Sequence, residues 1–165
     1  MTKHGKLFYG IMYIDIIWSI GGYMNFQEYI KKVYTIAFRL TGEESSADDM
    51  ASIAINNISY NIKEDNIDLN ILHNTAKEVC NIFLLEPDKY CSKTFTNQIT
   101  VQNTLLNLEP LTRAAVVWKD IMGFNINDLA TASNCPKLEL YKKLNSARKQ
   151  LLNSGTVGMG ELYEI

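Results

Sequence analysis

Proline and glycine are scarce in this chain, with three prolines and nine glycines in 165 residues. Collagen-like, polyproline and low-complexity architectures are thereby excluded. There are only two histidines, and Cys80, Cys91 and Cys135 show no paired spacing of the kind that holds a metal. No glycine-rich phosphate loop and no nucleophile elbow is present, so the sequence reads as a non-enzyme with no catalytic residue, cofactor, metal or small-molecule substrate. An odd thiol count without a secretory context points to reduced cysteines and a cytoplasmic location, with Cys80 and Cys135 as buried structural residues. Strand-type alternation is rare and there is no internal repeat. The net charge is only −2, so no single-signed field marks the whole chain.

What remains is helical periodicity, which predicts an all-α fold. The richest stretch is Leu108–Leu152. An apolar helix is expected over Leu111–Ile121, a break at Gly123, and a short helix over Ile126–Ala132. Ser133-Asn134-Cys135-Pro136 then makes a turn, and a basic helix follows from Lys137 to about Leu152. Two helices joined by a tight turn, the second one basic, have the outline of a helix-turn-helix. An α-helix fits the major groove, where cations neutralise phosphates and other side chains reach base edges. The candidate DNA contacts are Lys137, Tyr141, Lys142, Lys143, Asn145, Arg148 and Lys149. The cations would equally suit a solvated helix face, and Tyr141 either stacks on the nucleic acid or packs against the helix of Asp128. Trp118 and Phe124 read as core.

The order of residues here resembles the C-terminal domain of bacterial RNA polymerase sigma factors of the extracytoplasmic-function class. Leu108-Glu109-Pro110 stands at the family's Leu-x-Pro helix start. Gly123-Phe124-Asn125-Ile126-Asn127-Asp128-Leu129-Ala130 matches the first reader helix, Cys135-Pro136 the turn, and Leu144-Asn145-Ser146-Ala147-Arg148-Lys149-Gln150-Leu151 the end of the recognition helix. Glu139-Leu140-Tyr141-Lys142-Lys143 stands where the family favours Thr-Val-Lys-Ser-Arg. A carboxylate at Glu139 suits the positive end of the helix but repels a phosphate.

A second match lies upstream, from Val33 to Met50, where a helix ending Leu40-Thr41-Gly42 is followed by Ser45-Ser46-Ala47-Asp48-Asp49-Met50. Val33, Ile36, Ala37 and Leu40 recur at helical spacing, Gly42 is placed to end the helix in the left-handed region, and Ser45 or Ser46 can cap the next one. In the family this second helix grips the polymerase. The resemblance therefore assigns polymerase contact to Asp48, Asp49, Ser52 and Ile53, although Asp48 and Asp49 serve equally well as first-turn helix stabilisers. Leu69, Leu72, Ala76, Val79, Cys80 and Phe83 make an amphipathic helix where the family melts promoter DNA, with Asn70, His73, Asn74 and Lys77 as its polar members. His73 reads as a surface or satisfied polar residue rather than a ligand.

Punctuation and charge then divide the chain. Residues 24–87 form the expected region-2-like helical domain, with six Lys/Arg against eleven Asp/Glu over Met24–Tyr90. Residues 88–100 read as a polar linker. Residues 101–153 form the expected region-4-like helix-turn-helix domain, with five Lys/Arg against one Asp/Glu over Lys137–Lys149, and residues 154–165 form a tail. Leu7–Tyr23 is apolar but short and interrupted by Asp15, which argues against membrane insertion. Residues 1–23 are expected to be a leader lying upstream of a natural start at Met24, or else a helix packed on the front domain. The resemblance implies a sigma factor that binds core RNA polymerase and promoter DNA, with an anti-sigma protein as a further partner. The alternative is a sigma-like DNA-binding regulator, or half-sigma, without full initiation ability.

Overall fold

The computed structural model of the chain describes residues 23–58, 62, 67–91 and 101–160. The expected leader lies outside them apart from Tyr23, as do residues 92–100 of the expected linker. The described residues are α-helical apart from one two-stranded ribbon. In it Tyr23–Met24 (β1) pairs antiparallel with Ile67–Asp68 (β2), Tyr23 opposite Asp68 and Met24 opposite Ile67. None of the described helices is long and apolar enough to cross a membrane.

Helix α1 spans Phe26–Thr41. Asn25 starts it by accepting the Glu28 amide at 2.9 Å, and Gly42 ends it at φ +70° with its N–H on the Phe38 carbonyl. A β-carbon at Gly42 would also meet the Leu106 side chain. Tyr29, Val33, Ile36, Ala37 and Leu40 line its buried face, the face set out by the i, i+3, i+4 pattern. Helix α2 spans Glu44–Ile58. Its cap is neither Ser45 nor Ser46 but Glu43, whose carboxylate accepts the amides of both at 3.0 and 2.7 Å. The hydroxyl and amide donors of Ser46, then those of Ser45, hold the Glu43 carboxyl down at about 2.

Helix α3 spans Leu69–Leu85, capped by Asp68 on the Ile71 amide at 2.9 Å. Leu72, Thr75, Ala76, Val79, Cys80 and Phe83 are buried, whereas Leu69, expected on that face, is exposed at the helix start. Tyr29 and Thr75 join α1 to α3 through a buried 2.7 Å hydroxyl pair. The first residues of the expected linker are ordered: Pro87–Tyr90 makes one helical turn (α4) and buries Tyr90.

The back half contains α5 (Val101–Leu106) and α6 (Pro110–Val116), the latter continuing as a π-helical turn over Val117–Ile121. The helix expected over Leu111–Ile121 is thus present but widened, with the Met122 amide reaching back five residues to the Val117 carbonyl at 2.9 Å. Helices α7 (Ile126–Ser133) and α8 (Lys137–Gly160) follow. Helix α8 runs past Leu152 to Gly160, into the segment expected to be a tail.

The buried side chains form one continuous cluster from Met24 to Leu151. Helix α3 packs against α6 and α7, and α1 against α5. The joint is polar as well as apolar. Arg113 in α6 is only 3 % exposed and donates to the carbonyls of Leu40 at 2.6 Å, Leu106 at 2.5 Å and Leu108 at 3.2 Å. Gln102 donates to the carbonyls of Phe38 and Arg39. The carbonyls of Arg39 and Leu40 in the last turn of α1 are therefore satisfied from the back half, while that of Phe38, already held by the Gly42 amide, gains a second donor.

Candidate nucleic-acid interface

The segment Gly123–Lys149 is built by local signals. Gly123 takes φ +72°, the left-handed turn that releases the chain from the π segment. Asn125 caps α7 by accepting the Asn127 amide at 3.0 Å, and its own carbonyl accepts the buried Trp118 indole N–H at 2.8 Å. Asn134 ends α7 in the left-handed region at φ 50°, a conformation that asparagine tolerates better than most residues. Cys135 and Pro136 complete the turn, and the Pro136 carbonyl receives the amides of Glu139 and Leu140. Helix α8 docks through Leu140, Leu144, Ala147 and Leu151, all buried. These positions lie four, three and four residues apart, so they form one stripe.

The opposite face belongs to solvent. Lys137, Leu138, Lys142, Asn145 and Lys149 are exposed, and Leu138 retains 69 % of its surface. The Lys137 ammonium lies 6.0 Å from the centre of the Tyr141 ring, and Tyr141 itself is half-buried against the core.

Lys143 and Arg148 are placed differently from the other five candidates. Lys143 donates to Glu109 at 2.8 Å, a hydrogen bond that raises its ammonium above the ordinary lysine value. Arg148 makes a two-pronged pair with Asp120 at 2.9 and 2.5 Å, and Asp120 is 8 % exposed. Both cations act first as struts between α8 and the α6–π segment. The exposed stripe is consequently Lys142, Asn145 and Lys149, with Leu138 at its start and Lys137 to one side of it. Asp120 and Glu109 escaped the sequence reading. The signal for Asp120 was its position inside an otherwise apolar run, where a lone carboxylate needs a partner.

The front-half candidates share one face of α2, with Asp48, Asp49 and Ser52 exposed and Ile53 half-buried. Asp49 is engaged: the Tyr90 hydroxyl donates to it at 3.1 Å and Lys89 at 3.4 Å. On α3, Asn70 and Asn74 are exposed, while His73 turns into the joint between the halves. Its Nε2 lies 3.2 Å from Asp128 of α7, and its ring meets the edges of Trp118 and Phe124 at 5.2 and 4.8 Å. His73 is thus a satisfied polar residue, as expected. The described residues contain no cluster able to hold a metal ion.

Comparison with known protein families, curated proteins and solved structures returns no match. What the site can do rests on its own chemistry: a rigidly docked helix after a tight turn, with a protruding polar and cationic stripe.

Proposed function

We propose that the chain is a divergent sigma factor, which binds core RNA polymerase and directs it to a promoter. In this reading residues 24–87 are a region-2-like helical unit, and residues 101–153 are a region-4-like helix-turn-helix unit in which α8 enters the major groove. The observation that carries it is the α7–Asn134–α8 arrangement. It turns Lys142, Asn145 and Lys149 outward while Leu140, Leu144, Ala147 and Leu151 anchor the helix. A groove-reading helix needs this division between docking and reading faces. The motif-for-motif resemblance in Gly123–Leu151 supports it further, and the α2 face of Asp48, Ser52 and Ile53 is the proposed polymerase contact. An anti-sigma partner and a cytoplasmic location belong to the same reading.

A second reading, a sigma-like DNA-binding regulator without initiation ability, is favoured by the continuous core. Helix α3, which would have to meet single-stranded DNA, is packed against α6 and α7 through His73, Trp118 and Phe124. Run-off transcription with purified core polymerase on genomic fragments separates the two. The sigma reading expects transcripts that appear only with the full chain and start at a subset of fragments. Sequence-specific retention of duplexes with no such transcripts supports the second reading, and neither outcome being seen rejects both.

A further inference from the structure

Two leucines stand far out in solvent, Leu138 with 69 % of its surface exposed and Leu85 with 81 %. A single apolar side chain in water needs no explanation by itself. What separates the two is the company on their faces. One and two turns before Leu85 stand Ile82, Asn81 and Glu78, a stripe without a cation. Leu138 opens the stripe that continues through Lys142, Asn145 and Lys149, at intervals of four, three and four residues. These are the intervals of the docking stripe displaced by two residues, so the two stripes lie on opposite sides of α8. The side chains of Lys142, Asn145 and Lys149 have no hydrogen-bond or ion-pair partner among the described residues.

Leu138 lies in the first turn of α8, the end at which a groove-reading helix meets base edges. The lysines further along suit phosphates, but a leucine gains nothing from a phosphate. On the floor of the major groove it finds one apolar group, the 5-methyl of thymine, which distinguishes that base from the other three. A protein-docking face groups several apolar side chains. The exposed helix neighbours of Leu138 are instead charged: Lys137, Glu139 and Lys142.

Given α8 in the major groove, which both readings above require, we propose that Leu138 is a base-reading residue that selects a thymine by packing on its 5-methyl group. Asn145 lies seven residues further on, about 10 Å along a helix that rises ~1.5 Å per residue. Its amide can pair with the donor and acceptor of an adenine edge. At ~3.4 Å per base pair, the preferred duplex carries a thymine and an adenine within about three base pairs of each other.

The test selects duplexes from a random pool with the full chain, alone and with core polymerase. Each thymine of the recovered sequence is then replaced by deoxyuridine, which lacks only the methyl group. One replacement is expected to weaken binding about fourfold, the worth of one buried methyl, and the others to be neutral. Leu138→Ala should bind the thymine duplex about fourfold more weakly and no longer distinguish thymine from uracil at that position. Its salt slope should stay unchanged, because no counterion is involved. Its melting temperature should also stay unchanged, because the side chain is exposed. Equal binding of every deoxyuridine duplex, or a Leu138→Ala chain that still makes the distinction, would overturn the proposal and leave α8 as a DNA-binding helix. Loss of core polymerase retention in Leu138→Ala at unchanged duplex affinity would assign the leucine to a protein surface and overturn it as well. No preferred duplex from either selection would reject the DNA reading of α8 and the proposal together.

Discussion

Replacing Arg113 by Met should cost the whole fold, not one half of it. The guanidinium satisfies three carbonyls, those of Leu40, Leu106 and Leu108. A buried acceptor left without a donor costs about 1–3 kcal/mol. Part of that returns, because Arg113 is a buried charge without a carboxylate partner and its removal relieves a desolvation penalty. Methionine also keeps most of the apolar stem over Phe83. The balance is a loss of about 2–4 kcal/mol, a large share of the roughly 5–15 kcal/mol that holds a domain together. At about 3 °C per kcal/mol, the melting temperature should fall by ~6–12 °C. Urea unfolding followed by both tryptophan fluorescence and far-ultraviolet circular dichroism is the assay. One transition, coincident in the two probes and shifted by the same amount, is expected. Arg113→Lys should fall between the two, since one ammonium cannot serve three carbonyls in the same geometry. A loss in Arg113→Met below about 0.5 kcal/mol would refute the assignment of Arg113 as the tie between the halves, and so would two separate transitions in the wild-type chain.

Three further outcomes follow from single contacts. The folded value of the Glu43 carboxyl, about 2, lies below the ordinary 4.5. Its contribution is therefore full above about pH 4.5 and lost as pH falls toward 2, and Glu43→Gln should flatten the acid limb of urea midpoints measured across that window. Asp120→Asn should destabilise by about 1–3 kcal/mol by equilibrium unfolding. That is less than a wholly buried pair would lose, because the Arg148 side chain remains 34 % exposed. If α8 meets DNA, Lys142→Ala should lower the salt slope of duplex binding by about one released counterion, whereas Lys143→Ala, whose ammonium is held by Glu109, should change it less. Equal slopes in the two variants would place DNA elsewhere.

The parts of the fold that depend on neighbours in sequence were legible. The apolar spacing of α1, α3 and α8, the Gly42 stop and the Asn134–Pro136 turn all stand where periodicity and turn chemistry put them. What depends on distant residues was not. Arg113 sat in an apolar run with no sign that its acceptor lay in α1, 73 residues upstream. Lys143 and Arg148 looked like the other cations of α8, because the acids that hold them, Glu109 and Asp120, lie 34 and 28 residues away. The α2 cap was misplaced for a different reason. Serines are common caps, but here the carboxylate of Glu43, just before α2, accepts the amides of Ser45 and Ser46 themselves. Of the residues expected to meet polymerase, Asp49 instead accepts from the Tyr90 hydroxyl, and the composition of the linker gave no cause to bury Tyr90.

The satisfaction of α1 from the back half has a consequence for how the chain is made. A ribosome adds about 5–20 residues per second. The Leu40 carbonyl therefore waits about 4–15 s after its own synthesis before Arg113 exists to meet it, counting the 73 residues between them. During that interval α1 has its start but not the partners of its final turn, and the faces of Phe83 and Leu40 have no cover from the back half. The nascent front half is a natural client for a holding chaperone until the chain has grown past residue 113 and α6 has emerged.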